Sequence, residues 1–249
     1  MTKQEFLGLE FDGWTMGEVR RWLDRRGADD PFAYVVTPNV DHLIRLADAP
    51  GDVRRAYVDA DLRLCDSRVL ARLAGMAGVT LTVVPGSDLT ADLFRHVLRA
   101  GDSVCLIGGD EGDAAKLEAL YPDVPIVQHR PPMGLRHDPA ARARAVGAAV
   151  AAQARATLFA VGSPQQELLA REMADRADAR GTGLCIGASI DFLLGTQARA
   201  PKLVQRMSLE WAWRLLSDPR RLARRYLIEG PAIFPMVWRW KRARTRRHH

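Results

Sequence analysis

Short apolar runs and helical patterns alternate along most of this chain. The runs Ala33-Tyr34-Val35-Val36, Leu62-Arg63-Leu64-Cys65, Leu81-Thr82-Val83-Val84, Ser103 to Ile107, Pro125-Ile126-Val127, Thr157 to Val161 and Gly183 to Ile186 are rich in β-branched and aliphatic residues. Several are apolar at consecutive positions, the pattern of strands covered on both faces, so they predict a mainly parallel sheet. Between them, helical spacing predicts helices from Ser67 to Ala77, Asp88 to Arg99, Gly112 to Leu120, Pro139 to Ala154 and Pro164 to Arg180. Strand followed by helix, repeated, predicts the α/β class: a Rossmann-like sandwich. After Gly195 the pattern changes, with helices expected from Pro201 to Ser217 and from Pro219 to Ile228 and no strand between them. Residues 1–195 therefore read as an α/β core and residues 196–249 as a helical appendage, cut into short helices by Pro219, Pro231 and Pro235.

Charge sharpens that division. The chain has 249 residues and a net charge of +6, and residues 201–249 hold 13 Lys and Arg against 3 Asp and Glu. The body is mildly acidic and the tail strongly basic. Trp211, Trp213, Trp238 and Trp240 also lie in the tail, and Trp with Arg or Lys suits a polyanionic surface with an apolar underside, which describes a membrane face or a nucleic acid. The chain has no run of about 18 uncharged apolar residues and no basic-then-apolar leader pattern, so the expected location is cytoplasmic. Cys65, Cys105 and Cys185 are odd in number, far apart and set among apolar residues, so they read as buried thiols. No role is given to His248 and His249.

In open α/β sheets, ligands gather at the carboxyl ends of the strands. Four polar segments fall there: Thr37-Pro38-Asn39 with Asp41 and His42, then Asp66-Ser67, Gly108-Gly109-Asp110, and Gly162-Ser163-Pro164-Gln165-Gln166-Glu167. Each has a plainer reading: Thr37 or Asn39 would merely cap a helix, Asp66 would be the N-cap of the helix from Ser67, and two glycines would make a tight turn. The G-x-G-x-x-G spacing is absent around Gly108, which argues against a nicotinamide cofactor. Asp59-Ala60-Asp61 matches the D-x-D pair that holds a divalent metal in many sugar-nucleotide transferases, but three letters are weak and no third oxygen ligand accompanies them. Gly162-Ser163-Pro164 puts proline where the helix N–H of a hydrolase oxyanion hole is needed.

Taken together, Thr37-Pro38-Asn39 with His42, Ala60-Asp61 with Asp66, Pro85-Gly86-Ser87-Asp88-Leu89, Ile107-Gly108-Gly109, Gly162 to Glu167, Gly187-Ala188-Ser189-Ile190-Asp191-Phe192 through Gly195, Arg199-Ala200-Pro201 and Glu210-Trp211 with Arg214 resemble the WecG/TagA/CpsF glycosyltransferase family. Eight blocks in order, from about Thr37 to Tyr226, are far more specific than any one of them. The resemblance implies an inverting, metal-independent transferase, without a cofactor, that moves a sugar of N-acetylmannosamine or another hexose type from a UDP-sugar to a sugar on polyprenyl diphosphate. It also implies surface polysaccharide synthesis at the inner membrane face. The chain departs from the family pattern at Asp66-Ser67, Val83-Val84 and Pro164-Gln165-Gln166-Glu167, so two basic side chains near the expected phosphates are missing.

Displacement at an anomeric carbon needs a base for the acceptor hydroxyl and positive groups for the departing diphosphate. Asp66 is the expected base. Thr37, Asn39, Gln166, Glu167 and Asp191 are the expected substrate contacts, and Gly108, Gly109, Gly162, Pro164, Arg214, Arg221 and Arg224 the expected diphosphate contacts. The expected partners are the donor, the lipid-linked acceptor and an anionic membrane surface that the basic tail would meet. Self-association is left open. A nucleic-acid partner is not expected, because no binding motif accompanies the charge, although a nucleotide- or nucleic-acid-binding regulator stands as the alternative.

Overall fold

A computed structural model describes residues 2–197, 200–201, 204, 207 and 209–247, with the side chains of residues 221 and 247 set aside. An antiparallel hairpin, β1 (Lys3–Phe6) and β2 (Leu9–Asp12), opens the chain. Helix α1 (Met16–Arg25) follows, started by a capping box in which Glu18 N–H reaches Thr15 Oγ1 and the Thr15 N–H reaches the Glu18 carboxylate. Neither element belongs to the expected repeat. Its strands and helices follow as β3 (Ala33–Val36), α2 (Val40–Ala47), α3 (Gly51–Val58), β4 (Leu62–Arg63), α4 (Arg68–Met76), α5 (Gly86–Asp92) and β5 (Val104–Gly108). Then come α6 (Asp113–Leu120), β6 (Ile126–His129), α7 (Pro139–Ala151), β7 (Ala156–Ala160), α8 (Gln165–Ala174), β8 (Thr182–Cys185) and α9 (Ser189–Leu193).

Strands β3 to β8 form one parallel sheet in the order β4-β3-β8-β7-β5-β6. Alternate residues of each strand feed two separate cores. Tyr34, Val36, Cys105, Ile107, Phe159 and Cys185 pack with α2, α3, α4, α7 and α8, whereas Val35, Val104, Leu106, Leu158 and Leu184 pack with α1, α5, α6 and α9. The sheet is thus covered on both faces, and this is why its strands are apolar at consecutive positions. The α/β sandwich agrees with the sequence pattern, and the three cysteines are buried free thiols.

Several boundaries differ from the sequence expectation. Leu81 to Val84 is not a strand: Val83 makes a single bridge to Cys65, Val84 N–H reaches the Cys65 carbonyl at 2.9 Å, and Pro85 then turns the chain into α5. Helix α5 continues through a wider turn, Leu93–Val97, which closes with Leu98 N–H on the Leu93 carbonyl. The helix expected to reach Arg180 ends at Ala174, and the one expected to reach Ala154 ends at Ala151.

In the C-terminal segment, α10 (Glu210–Ser217) and α11 (Pro219–Ala223) lead through a wide turn, Arg224–Glu229, and a short 3₁₀ turn, Gly230–Ala232, to α12 (Ile233–Arg247). Pro219 opens a helix, as expected, but Pro235 does not break one. It sits in the first turn of α12, where its missing N–H has no helical partner to lose. Ile233 and Val237 are buried in the same core as Phe6, and Trp240 meets Phe6 edge-on at 5.2 Å while donating to Glu5 at 3.1 Å. Trp240 is therefore a packing residue, whereas Trp238 is 54% exposed under the Arg242 guanidinium.

This difference gives a test. Trp240→Ala should destabilise the fold by about 2–4 kcal/mol, through lost packing and a lost aromatic pair, in urea unfolding followed by circular dichroism. Trp238→Ala should change it by less than about 1 kcal/mol.

Candidate active site

The parallel sheet delivers the ends of β3, β8 and β7, neighbours in the strand order, to one edge. A cavity of about 590 Å³ opens at this edge. Its floor comes from Thr37 and Asn39 after β3, Asp66 after β4, Gly162, Ser163 and Gln166 after β7, and Ile186 to Ser189 after β8. The C-terminal segment covers it with Glu210, Arg214, Leu222, Arg224, Arg225 and Glu229. Thr37 is buried and donates to the Cys185 carbonyl at 3.2 Å, tying β3 to β8 at the mouth. A side chain on Gly86 would stand 3.0 Å from Thr37 Oγ1, so glycine lets the first turn of α5 lie close against the floor.

Asp66 stands where the chain leaves β4, with its own N–H on the Pro38 carbonyl at 3.1 Å. Its carboxylate accepts the Gly86 N–H at 2.6 Å and the Asn39 side-chain amide, while Arg214 lies near enough to favour its charge. Burial outweighs these and pushes its pKa up to about 6. Asn39 serves twice, since its side-chain oxygen also caps α2 by accepting the N–H groups of Asp41 and His42 at 3.1 and 3.4 Å. Asn39 is therefore the cap of α2 and also part of the cavity lining.

A second network fixes Gln166. Gly187 donates its N–H to Gln166 Oε1 at 2.9 Å, which sets the orientation of the amide, and Gln166 Nε2 then donates to Glu167 Oε1 at 2.8 Å. Glu167 is fully buried, and burial raises its pKa. Behind it, Tyr57 and Ser163 share a hydrogen bond of 2.9 Å across the Ser163-Pro164 cis peptide turn. Gln166 faces the cavity, while Glu167 does not and holds Gln166 from behind.

Five arginines line the cavity among the described residues: Arg45, Arg68, Arg214, Arg224 and Arg225. Asp41, on α2, pairs with Arg45 at 2.9 Å and with Arg225 of the C-terminal segment at 3.1 Å. Arg68 pairs with Glu210, a second tie between the body and that segment. The wide turn puts residues five apart on one face, and there Arg224 meets Glu229 at 3.0 Å. Arg214 lies over the Phe192 ring at 5.5 Å. His42 is buried at the same wall, and burial with Arg225 and Arg45 nearby lowers its pKa to about 3, so the imidazole is neutral.

Thr37, Asn39, Asp66, Gln166, Gly162, Arg214 and Arg224 are thus brought together, as the sequence predicts. Gly108 and Gly109 are not. They end β5 on the far side of β7, and their backbone is committed to the turn: at Gly108 φ is +100° and a side chain would meet the Ala160 carbonyl at 2.7 Å. Gln128 closes that turn by donating to the Gly108 and Asp110 carbonyls. Pro164 and Asp191 also lie off the lining, and the Asp191 carbonyl accepts from Gln197 and Thr196. Arg221 is in α11 with its side chain set aside, and Arg199 lies outside the described residues. Asp59 and Asp61 lie before β4, at the opposite edge of the sheet, where Asp59 pairs with Arg171 and Asp61 accepts the Tyr34 N–H. Among the described residues, no group of three or more His, Cys, Asp or Glu is arranged to hold a metal.

Arg45, Arg68 and Glu210 are lining residues that the sequence does not single out as site residues, whereas the i, i+3 and i+4 spacing of Arg221, Arg224 and Arg225 does point to a basic face suited to phosphates. For Arg45 a signal existed, four residues after Asp41 on a helix. For the pairs between Arg68 and Glu210 and between Asp41 and Arg225 none did, because more than 140 positions separate the partners. Residues 4–247 match the glycosyl transferase WecG/TagA/CpsF family, and a match over nearly the whole length means that the chain belongs to that family.

Proposed function

We propose that this chain is an inverting glycosyltransferase that moves a sugar from a UDP-sugar to a sugar carried on polyprenyl diphosphate, with Asp66 as general base. Family membership supports the coarser part of this reading, a glycosyltransferase of cell-surface polysaccharide synthesis. The observation that carries the rest is one carboxylate, raised to about 6, at the floor of a cavity lined by arginines from both the body and the C-terminal segment.

The acceptor hydroxyl oxygen attacks the anomeric carbon as the bond from that carbon to UDP breaks, and Asp66 takes the hydroxyl proton. The negative charge that appears on the leaving diphosphate is met by Arg214 and Arg224. A single displacement inverts the anomeric centre. Thr37, Asn39 and Gln166 are suited to sugar hydroxyls, and their orientations are already set by the Cys185 carbonyl, the α2 N–H groups and the Gly187 N–H. A pKa of about 6 leaves Asp66 ionised at neutral pH, yet keeps it more basic than an ordinary carboxylate.

Residues 196–249 form the appendage in this reading, docking on the anionic inner face of the membrane. No helix among the described residues is long and apolar enough to cross a membrane. Exposed Phe234 and Trp238 on α12, with Arg239, Arg242, Arg244 and Arg246 on the same helix, support surface attachment, each basic residue near anionic lipid contributing about 1 kcal/mol.

Four outcomes are expected. Asp66→Asn keeps the acceptor for the Gly86 N–H and should lower kcat/KM by about 10² to 10⁴, with UDP affinity little changed in calorimetry. Near-normal turnover would remove Asp66 from its role. Because the raised carboxyl is protonated below about pH 6, kcat/KM should fall as pH drops through that value, and the residual activity of Asp66→Asn should lack this limb. Transfer should survive excess EDTA, and rescue of a chelated enzyme by magnesium or manganese would contradict this. Finally, the protein should float with anionic and not with neutral liposomes, and less so at high salt.

A further inference from the structure

A second cavity, of about 460 Å³, shares a wall with the first: Asn39, Asp41, Asp66, Arg68, Glu210, Arg214 and Arg225 border both. Beyond that wall its lining changes character. Trp211 and Tyr226, edge-on at 6.2 Å, continue into Leu227, Ile233 and Phe234. At the outer end apolar side chains stand in water: Leu227 is 58% exposed, Phe234 61%, and the neighbouring Ile228 and Trp238 73% and 54%. Such a patch, continuous with an apolar cavity, marks a binding surface.

The two ends ask for different chemistry. At the inner end Arg68 and Arg225 are held by Glu210 and Asp41, so their guanidinium groups are positioned before any ligand arrives. The outer end is a hydrocarbon-lined passage. A ligand that satisfies both has an anionic head and an extended apolar chain.

We propose that this second cavity binds the isoprenoid diphosphate of the acceptor, so that the acceptor reaches Asp66 from this side of the shared wall and the sugar nucleotide from the other. The assignment rests on the transferase reading above. It adds a separate seat for the lipid, built from Trp211, Tyr226, Leu227 and Phe234.

The probe is farnesyl diphosphate, measured by equilibrium dialysis with the full chain below the concentration at which the lipid aggregates. Inorganic diphosphate and farnesol serve as its two halves. Farnesyl diphosphate should bind at least about tenfold more tightly than either half, since many apolar carbons leave water only in the whole ligand. Leu227→Asp and Phe234→Asp alter exposed positions and should weaken it at least about tenfold, while UDP binding by calorimetry shifts less than about twofold. Excess UDP should leave the lipid bound. Equal affinity for the whole ligand and its halves, full displacement by UDP, or two variants that bind like wild type would each overturn the assignment. The transferase reading fails separately: lipid binding as described, with no transfer from any UDP-sugar, would sink that reading and leave the cavity assigned. Transfer with the same KM for chain-bearing and chain-free acceptors would do the reverse.

Discussion

A parallel sheet must bring the carboxyl ends of all its strands to one edge, and the rest of this molecule depends on that constraint. The polar segments after β3, β4, β7 and β8 are far apart along the chain, yet they meet because their strands share a direction. The ends of β3, β8 and β7 are neighbours in the sheet and together floor a crevice. Asp66 lies in that crevice because the chain after β4 is held to β3 by the Pro38 carbonyl and to the 83–84 segment through Cys65.

The acidity of the site follows from the same geometry. A carboxylate at an open strand end would titrate as usual, but this one is roofed by α10 and the wide turn after α11. Burial then outweighs the Gly86 N–H, the Asn39 amide and Arg214, which alone would lower the pKa. The C-terminal segment is thus part of the electrostatics of Asp66 as well as a cover. It is seated by Ile233, Val237 and Trp240 against the N-terminal hairpin and by two ion pairs that cross to α2 and α4. Such pairs contribute modestly to stability, and their larger effect here is to hold Arg225 and Arg68 at the wall of the cavity.

Local rules explain much of what was legible. The consecutive apolar runs betrayed a sheet covered on both faces, and Ser67, Asn39 and Asp138 cap the helices that follow them. The 81–84 run failed because its apolar residues are buried without a strand ladder: Val84 is in the core, but only Val83 pairs. Local composition cannot tell these two fates apart. Pro235 failed as a breaker because its effect depends on its position within the helix, and the start of α12 is set by packing of Ile233 on the core.

By itself, then, the sequence determined the α/β class, the polar strand ends, the buried cysteines and, through ordered motifs, the family. These are properties of neighbouring residues, or of their order, and survive without coordinates. Only the tertiary structure decided which strand ends converge. It left Gly108 and Gly109 outside because β7 lies between β5 and the crevice, and it joined Arg225 to Asp41 and Arg68 to Glu210. It also decided that Trp240 packs while Trp238 faces water, two residues apart on one helix. The physical reason is common to all three: a side chain's partners across the chain are set by strand order and helix rotation, and neither is written in the residues beside it.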